Sequence, residues 1–200
     1  MLLHNLVNSL LTRFEKGRSL EDLDSAIQFT ESTLESTSVN DSFYGVYLFN
    51  LGNALLKRYE ATSSVEDLNR AITTRENEVE SVEVGSPHYA KCLHNLANAL
   101  ETRFEKTGSI EDINTVIETR ERALECALID NPYYAQILNG FGASLARRFE
   151  KTRSMEDIDR AIVAAEQAVR SIPINPHFFN NLAMALMRRF AITKSNKDFD

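Results

Sequence analysis

Apolar residues recur along the chain at steps of three and four, the spacing that places side chains on one face of a helix. In one such stretch the apolar positions are Leu93, Leu96, Ala97, Leu100 and Phe104. A second series follows after Ser109, and it comprises Ile110, Ile113, Val116, Ile117, Ala123 and Leu124. The two series predict a pair of amphipathic helices, here called A and B, with a short polar connection between them.

This A–B unit is repeated along the chain. Four segments of 25 residues align without gaps, and their starts lie 45 residues apart, at Leu3, Leu48, Leu93 and Leu138. A fifth copy starts at Phe179, 41 residues after the fourth. Such a period is typical of a helical repeat array. We expect one solenoid over residues 1–200, with repeats at about 1–40, 41–85, 86–130 and 131–174 and a partial repeat at 175–200.

Capping signals set the expected helix ends. A serine precedes each B helix and an aspartate follows it by three residues, a spacing that permits a capping box. These pairs are Ser19/Asp22, Ser64/Asp67, Ser109/Asp112, Ser154/Asp157 and Ser195/Asp198. The A helices are expected near 2–16, 42–60, 86–105, 131–151 and 175–191, and the B helices near 19–36, 64–82, 109–128 and 154–171. The last A helix is expected to be about one turn shorter, which would account for the 41-residue step.

The repeat resembles the tetratricopeptide family in Leu48, Leu51-Gly52 and Leu55 of helix A and Ala71-Ile72 of helix B. It departs from the family pattern because leucine takes the place of a tryptophan and of an aromatic residue, and because the period exceeds 34 residues. The long period is similar to kinesin light chain repeats and to repeats of fungal multidomain proteins. The resemblance implies an all-α fold, an α-α superhelix in which antiparallel helix pairs form a right-handed solenoid.

The resemblance also implies a function as a protein–protein interaction scaffold that binds an extended peptide in a concave groove lined by the A helices. The alternative is a structural or regulatory repeat region of a larger fungal signalling protein. Its caspase-like or nucleotide-binding effector domain would then lie outside this chain. We expect a protein or peptide partner in the first case, and in neither case an enzyme.

Amide side chains on helix A are the main candidates for groove contacts, because an amide can pair with a peptide unit as donor and acceptor. One repeat position holds Asn5, Asn50, Asn95 and Asn181, and the position three residues later holds Asn8, Asn53 and Asn98. Gly140 interrupts the first series. The other candidates are His94, Lys57 and Arg147, of which the last two could meet an acidic peptide. Alternatively, the asparagines bond to the helix of the next repeat and hold the stack together.

A second regular series is formed by Arg13, Arg58, Arg103, Arg148 and Arg189, each followed by an aromatic residue. A row of arginines could bind phosphate. Each arginine also lies near the Glu-Asp pair that opens helix B, such as Glu111-Asp112. We therefore expect these arginines to pair with the acidic residues and to serve the framework.

Composition narrows the function further. The net charge of −7 argues against nucleic-acid binding, which depends on Lys and Arg. No apolar run is long enough for a membrane span. Two cysteines form no disulfide framework, which favours a reducing, cytoplasmic location. We expect no cofactor and no metal. His88 and His94 are six residues apart, whereas two metal ligands on one helix face are spaced by three or four residues. The repeated carboxylate pairs lack the asymmetry of an active site.

The chain ends inside the B helix of its fifth copy. The final A helix is expected to expose Phe178, Phe179, Leu182 and Leu186, an unusual apolar patch for a monomer. We expect the chain to be a fragment of a longer array or to self-associate through an uncapped C-terminal end.

Overall fold

A computed structural model describes residues 2–127, 131 and 133–194. These residues form nine α-helices: α1 (Leu2–Gly17), α2 (Leu20–Ser36), α3 (Tyr44–Thr62), α4 (Val65–Glu80), α5 (Pro87–Thr107), α6 (Ile110–Cys126), α7 (Tyr134–Thr152), α8 (Met155–Ser171) and α9 (Pro176–Thr193). The predicted all-α fold of A–B helix pairs is confirmed, with odd-numbered helices as A and even-numbered helices as B. The predicted fifth B helix, with Ser195 and Asp198, lies outside the described residues.

The helices belong to two compact units, Met1–Glu83 and Val84–Asp200, here called unit 1 and unit 2. In unit 1, Leu10 and Phe14 of α1 are buried with Leu23 of α2 and Leu55 of α3. In unit 2, α5 packs on α6, and α7 packs on α6, α8 and α9. Burial of each large apolar side chain contributes about 1.5–3 kcal/mol, so the core within each unit stabilises hairpins that would not be stable alone.

A two-residue connection joins each A helix to its B helix. Its first residue has a left-handed backbone in every case, at Arg18, Ser63, Gly108 and Arg153. The N–H group of this residue donates to the carbonyl of the aromatic residue four positions back, as from Ser63 to Tyr59 at 2.6 Å. This αL cap ends the helix and reverses the chain. So short a turn requires the two helices to be antiparallel.

The predicted capping boxes form only in part. The Oγ atoms of Ser64, Ser109 and Ser154 accept from the backbone N–H of the aspartate three residues later, at 3.2–3.4 Å. The aspartates do not reach back, because a threonine hydroxyl already accepts the serine N–H, as between Ser64 and Thr62 at 3.3 Å. Ser19 makes no side-chain cap hydrogen bond. The reciprocal half of the prediction is therefore wrong.

Arginines of the A helices bind the aspartate side chains instead. Arg58 lies 2.6 Å from Asp67, and the same pair forms between Arg103 and Asp112 at 2.7 Å. The equivalent pairs are Arg13 with Asp22 and Arg148 with Asp157. The prediction that these arginines serve the framework is confirmed for the four complete repeats. Each of these ion pairs links the C-terminal part of an A helix to the first turn of the B helix that follows it.

Two expectations about α9 are corrected. The shorter last period arises mainly in the connection before it, because residues 172–175 join α8 to α9 whereas residues 37–43 join α2 to α3. Phe178 is 4% exposed rather than accessible, because it occupies the repeat position of the buried Ile137 and Cys92. Phe179 is 48% exposed, and Leu182 and Leu186 are half-buried. None of the described helices is both long and apolar enough to span a bilayer.

Candidate functional site

In unit 1, three of the four candidate asparagines on the A helices make contacts within the repeat stack. The Nδ2 of Asn50 lies 3.0 Å from Nδ1 of His4, and the Nδ2 of Asn8 lies 2.9 Å from its Nε2. An imidazole ring never accepts at both nitrogens, so at least one of these amides must present its oxygen instead. Asn50 is 1% exposed and holds α3 against α1. Asn5 is exposed.

Arg75 of α4 is a buried arginine whose charge is compensated within unit 1. Its side chain is 2% exposed, and its Nη1 lies 2.6 Å from the buried carboxylate of Glu78. The Nη1 also donates to the carbonyl of Phe49, and Nη2 donates to Oδ1 of Asn53. Asn53 therefore anchors this guanidinium.

Lys57 pairs with Glu15 of α1 at 2.5 Å, and this contact lowers the pKa of the glutamate.

Unit 2 contains a cleft of about 360 Å³ whose walls come from the three A helices α5, α7 and α9. It brings together four of the candidates from the sequence, namely His94, Asn98, Arg147 and Asn181. It also contains Gly140, the residue that interrupts the asparagine series, and Arg120 of α6. Amides of Gln136 and Asn139 complete its polar lining. Asn95 is half-buried, lies outside this cleft, and leaves its Nδ2 without a partner.

Arg120 explains the interruption at Gly140. The guanidinium is 1% exposed, and a Cβ atom on Gly140 would lie 2.6 Å from its Cζ. The arginine therefore occupies the space that an asparagine side chain would need. Its Nη2 donates to Oδ1 of Asn98 at 3.0 Å and to Oε2 of Glu101 at 2.7 Å. Its Nε and Nη1 atoms have no acceptor among the described residues.

Glu101 is shared between several donors. Its Oε1 accepts from the hydroxyl of Ser144 at 3.1 Å and lies 2.8 Å from Nη1 of Arg147. The Nη2 of Arg147 lies 2.8 Å from Glu105, whose side chain is 54% exposed. One largely buried carboxylate thus serves two guanidinium groups. On α6 the repeat position of Glu78 is taken by Ala123, which is fully buried and carries no charge.

His94 is held in a single protonation state by its neighbours. Burial lowers its pKa to about 4, and the charge of Arg120 adds to the effect, so the ring is neutral at pH 7. Arginine can only donate, so Oδ1 of Asn98 must face Arg120 and its Nδ2 must face Nε2 of His94, 3.2 Å away. The Nε2 atom is then the acceptor, and Nδ1 carries the proton. This Nδ1 has no partner.

The comparisons with known proteins agree with this architecture. Residues 90–133, the third A–B pair, match the tetratricopeptide repeat family. The helix pairs resemble tetratricopeptide repeats. The predicted resemblance to this family is confirmed. Among curated protein sequences, none matches the chain significantly.

Solved structures with tetratricopeptide-like repeats share the fold. A kinesin light chain-like protein of Podospora anserina with nearly identical repeats has a TM-score of 0.65 at 13% identity, covering 98% of this chain and 90% of that one. MamA of Desulfovibrio magneticus has a TM-score of 0.62 at 16% identity, covering 98% and 91%. The assembly chaperone of RpL4, Acl4, has a TM-score of 0.53 at 14% identity, covering 96% and 71%.

The tetratricopeptide-like pattern hides the buried arginines, and sequence reasoning missed them. A signal was present, because Arg120 follows Val116 and Ile117 by four and three residues and so lies on the apolar face of helix B. A second signal was Gly140 in the next A helix, which stands where the other copies have an asparagine. The described residues contain no cluster of three His, Cys, Asp or Glu side chains suited to a metal ion.

Proposed function

We propose that the chain binds an extended peptide segment of a protein partner in the unit 2 cleft. Tetratricopeptide repeats generally mediate protein–protein interaction and are typically non-enzymatic scaffolds. One observation carries the narrower proposal: the cleft gathers amide groups from three successive A helices and guanidinium groups from α6 and α7. Such groups can pair with the peptide units of an extended chain without depending on every side chain.

The proposed contacts are a subset of the candidates from the sequence. His94, Asn98, Arg147 and Asn181 line the cleft, and Asn181 donates to Asn139 at 3.0 Å. In unit 1, Asn50, Asn53 and Lys57 already bond to His4, Arg75 and Glu15. Asn98 likewise bonds to Arg120 and His94, so the structural alternative fits asparagines of both units. The open cleft is what supports the binding alternative, and it supports it for unit 2.

Several finer expectations stay predictions. They are a single solenoid over residues 1–200, a longer parent array, self-association through α9, a cytoplasmic location and an effector domain outside this chain. Light scattering on the purified protein tests self-association, and a concentration-independent monomer mass would contradict it.

A peptide-display experiment tests the binding proposal. The full chain would be panned against a random library of 12-residue peptides, and enriched peptides would be measured with the wild type and with Ala143→Arg. Ala143 lines the cleft and is half-buried, so an arginine there fills it. We expect Ala143→Arg to weaken binding at least tenfold.

The matched control is Val163→Arg. Val163 is 53% exposed and lines a separate apolar depression between α6, α7 and α8, together with Leu124 and Phe141. It adds the same side chain outside the cleft and is expected to leave binding unchanged. Binding that resists Ala143→Arg but is lost with Val163→Arg would move the site to that depression and overturn the proposal.

A further inference from the structure

We infer that two copies of the chain associate through α8, with the exposed face of this helix packed antiparallel on the same face of the second copy and Val163 at the two-fold axis. The inference does not depend on the proposed peptide-binding function, because A helices and Arg120 line the unit 2 cleft and α8 does not. It follows from an apolar depression beside Val163 and from the order of the charges along α8.

The depression lies between α6, α7 and α8 and has a volume of about 390 Å³. It is lined by Leu138 and Phe141 of α7 and by Leu124 of α6. Val163 of α8 also lines it and is 53% exposed. A two-fold axis presents one surface patch to itself, so each Val163 can enter the depression of the other copy.

Val163 is an exception among the four described B helices. The equivalent residues are polar in the other three, namely Gln28 of α2, Thr73 of α4 and Glu118 of α6. All of them are exposed, as Val163 is. A single exposed valine is ordinary, but this one coincides with the depression and with a change of charge on the same helix.

The charges of α8 complement each other in the antiparallel arrangement. Arg160 and Glu166 lie three residues before and after Val163, and Glu156 and Arg170 lie seven residues before and after it. Steps of three and seven residues place these side chains on one face of the helix. A two-fold axis at Val163 therefore sets Arg160 opposite Glu166 of the second copy. It likewise sets Glu156 opposite Arg170, and each pair occurs twice by symmetry.

The other B helices lack this complementarity. They carry a glutamate at both of the outer positions, at Glu21 and Glu35 in α2, Glu66 and Glu80 in α4, and Glu111 and Glu125 in α6. An antiparallel pair of any of these helices would bring like charges together, which is unfavourable. Val163 and Arg170 thus distinguish α8 at two positions of one face, and both differences favour association with a second copy.

Contacts within the chain leave these side chains available. Arg170 lies 3.4 Å from Glu166, and its side chain is 70% exposed. Arg160 pairs with Glu121 of α6, and both of these side chains are accessible to solvent. Exposed pairs of this kind are weak, and a guanidinium has five N–H donors. Each arginine can therefore face a carboxylate of the second copy as well.

A single helix face makes a small interface. The face from Glu156 to Arg170 is about 21 Å long at about 1.5 Å per residue. Glu118 of α6 stands at the position of Val163, so we expect the contact to be confined to α8 and the depression. Stable dimers bury roughly 800 Å² per partner. We therefore expect a weak, reversible dimer with a dissociation constant of about 10–100 μM.

The first test is sedimentation equilibrium of the full chain from about 5 to about 500 μM. We expect a monomer–dimer equilibrium that Val163→Arg weakens at least tenfold, because it places like charges at the axis and removes the side chain that fills the depression. Val65→Arg is the matched control, since Val65 of α4 is 58% exposed and takes the same substitution outside α8. A monomer at every concentration would overturn the inference, and so would equal weakening by the two variants.

The second test exchanges the charges. Arg170→Glu and Glu156→Arg should each weaken the dimer about threefold to tenfold, since each sets like charges opposite one another. The double variant carrying both changes should recover the wild-type association, and circular dichroism checks that every variant keeps its helices. Failure of the double variant to recover would show that the two positions do not face each other, and the antiparallel contact would be wrong.

A third variant distinguishes this surface from α9. Met187 of α9 is 58% exposed, and Met187→Arg should leave the dimer unchanged. A dimer that Met187→Arg weakens as much as Val163→Arg, or more, would assign the contact to α9 and overturn the inference.

Discussion

The Cζ atom of Arg120 lies 2.6 Å from the position that a Cβ atom on Gly140 would occupy. Arg120 belongs to the B helix of the third repeat, and Gly140 belongs to the A helix of the fourth. The absence of a side chain on one helix is therefore matched to a buried guanidinium on the other. This match breaks the asparagine series and creates the cleft in which donors remain unsatisfied.

A first prediction concerns this close approach. Gly140→Ala forces its Cβ against the buried guanidinium, which Asn98 and Glu101 hold in place. We expect the free energy of unfolding to fall by about 1–3 kcal/mol, as for other overpacked cores. Urea unfolding followed by circular dichroism measures the change.

Two glycines provide the comparison. Gly17→Ala meets nothing within 4 Å and should change the stability by less than about 0.5 kcal/mol. Gly142→Ala would place its Cβ 2.9 Å from the backbone oxygen of Ala161, and it should be at least as damaging as Gly140→Ala because backbone yields less than a side chain. Equal stabilities for all three variants would contradict the packing argument.

A second prediction concerns the ion pair that joins an A helix to its B helix. Arg58 binds Asp67, whose side chain is 6% exposed, and also Asp24, whose side chain is 59% exposed. Asp67→Asn should reduce the unfolding free energy by about 1–3 kcal/mol, because it removes a charged acceptor from a nearly buried pair. Asp24→Asn should cost less than about 1 kcal/mol, as an exposed pair does. Urea unfolding measures both losses. An equal loss of unfolding free energy in the two variants would show that burial does not determine the strength of these ion pairs.

The sequence was sufficient to predict the helices and the ion pairs between the arginines of the A helices and the aspartates of the B helices. Apolar spacing and capping residues located each of the nine described helices, and the nearness of Arg58 to Asp67 predicted their contact. Both depend on local spacing that every repeat shares. The reciprocal half of the capping box failed because Thr62 and Arg58 compete for the same groups, a competition that spacing does not reveal.

The candidate site was less accessible to sequence reasoning. Asn53 and Asn98 occupy the same repeat position and each accepts from a buried arginine, yet it is Asn98 that lines the unit 2 cleft. The difference comes from which residues face each other across helices of successive repeats, such as Arg120 and Gly140. Those pairings join positions on different elements, and the repeat pattern emphasises what the copies share over where they differ.

A third prediction follows from Asp22, whose pKa the hydrogen bond from Arg13 lowers. A carboxyl group with a lowered pKa in the folded state stabilises the protein above its unfolded pKa of about 3.9, and this contribution disappears as the pH falls through the folded value. The unfolding free energy should therefore decrease with falling pH below about 4. Asp22→Asn should make the unfolding free energy depend less on pH in this range. An unchanged dependence below about pH 4 would show that Asp22 is not its cause.

The last prediction uses His94, whose pKa of about 4 lies below the ordinary histidine value of 6.5. Between these values the unfolded chain binds a proton that the folded chain excludes, so the stability should rise as the pH increases from about 4 to 6.5. The full effect is at most about 3 kcal/mol. The imidazole resonances of His94 should titrate near pH 4 by NMR, and His94→Gln should remove the slope. His88→Gln removes an exposed histidine of the same helix and should keep it. A titration of His94 near pH 6.5 would show that solvent reaches the ring, and the donor role assigned to its Nδ1 would then lose its basis.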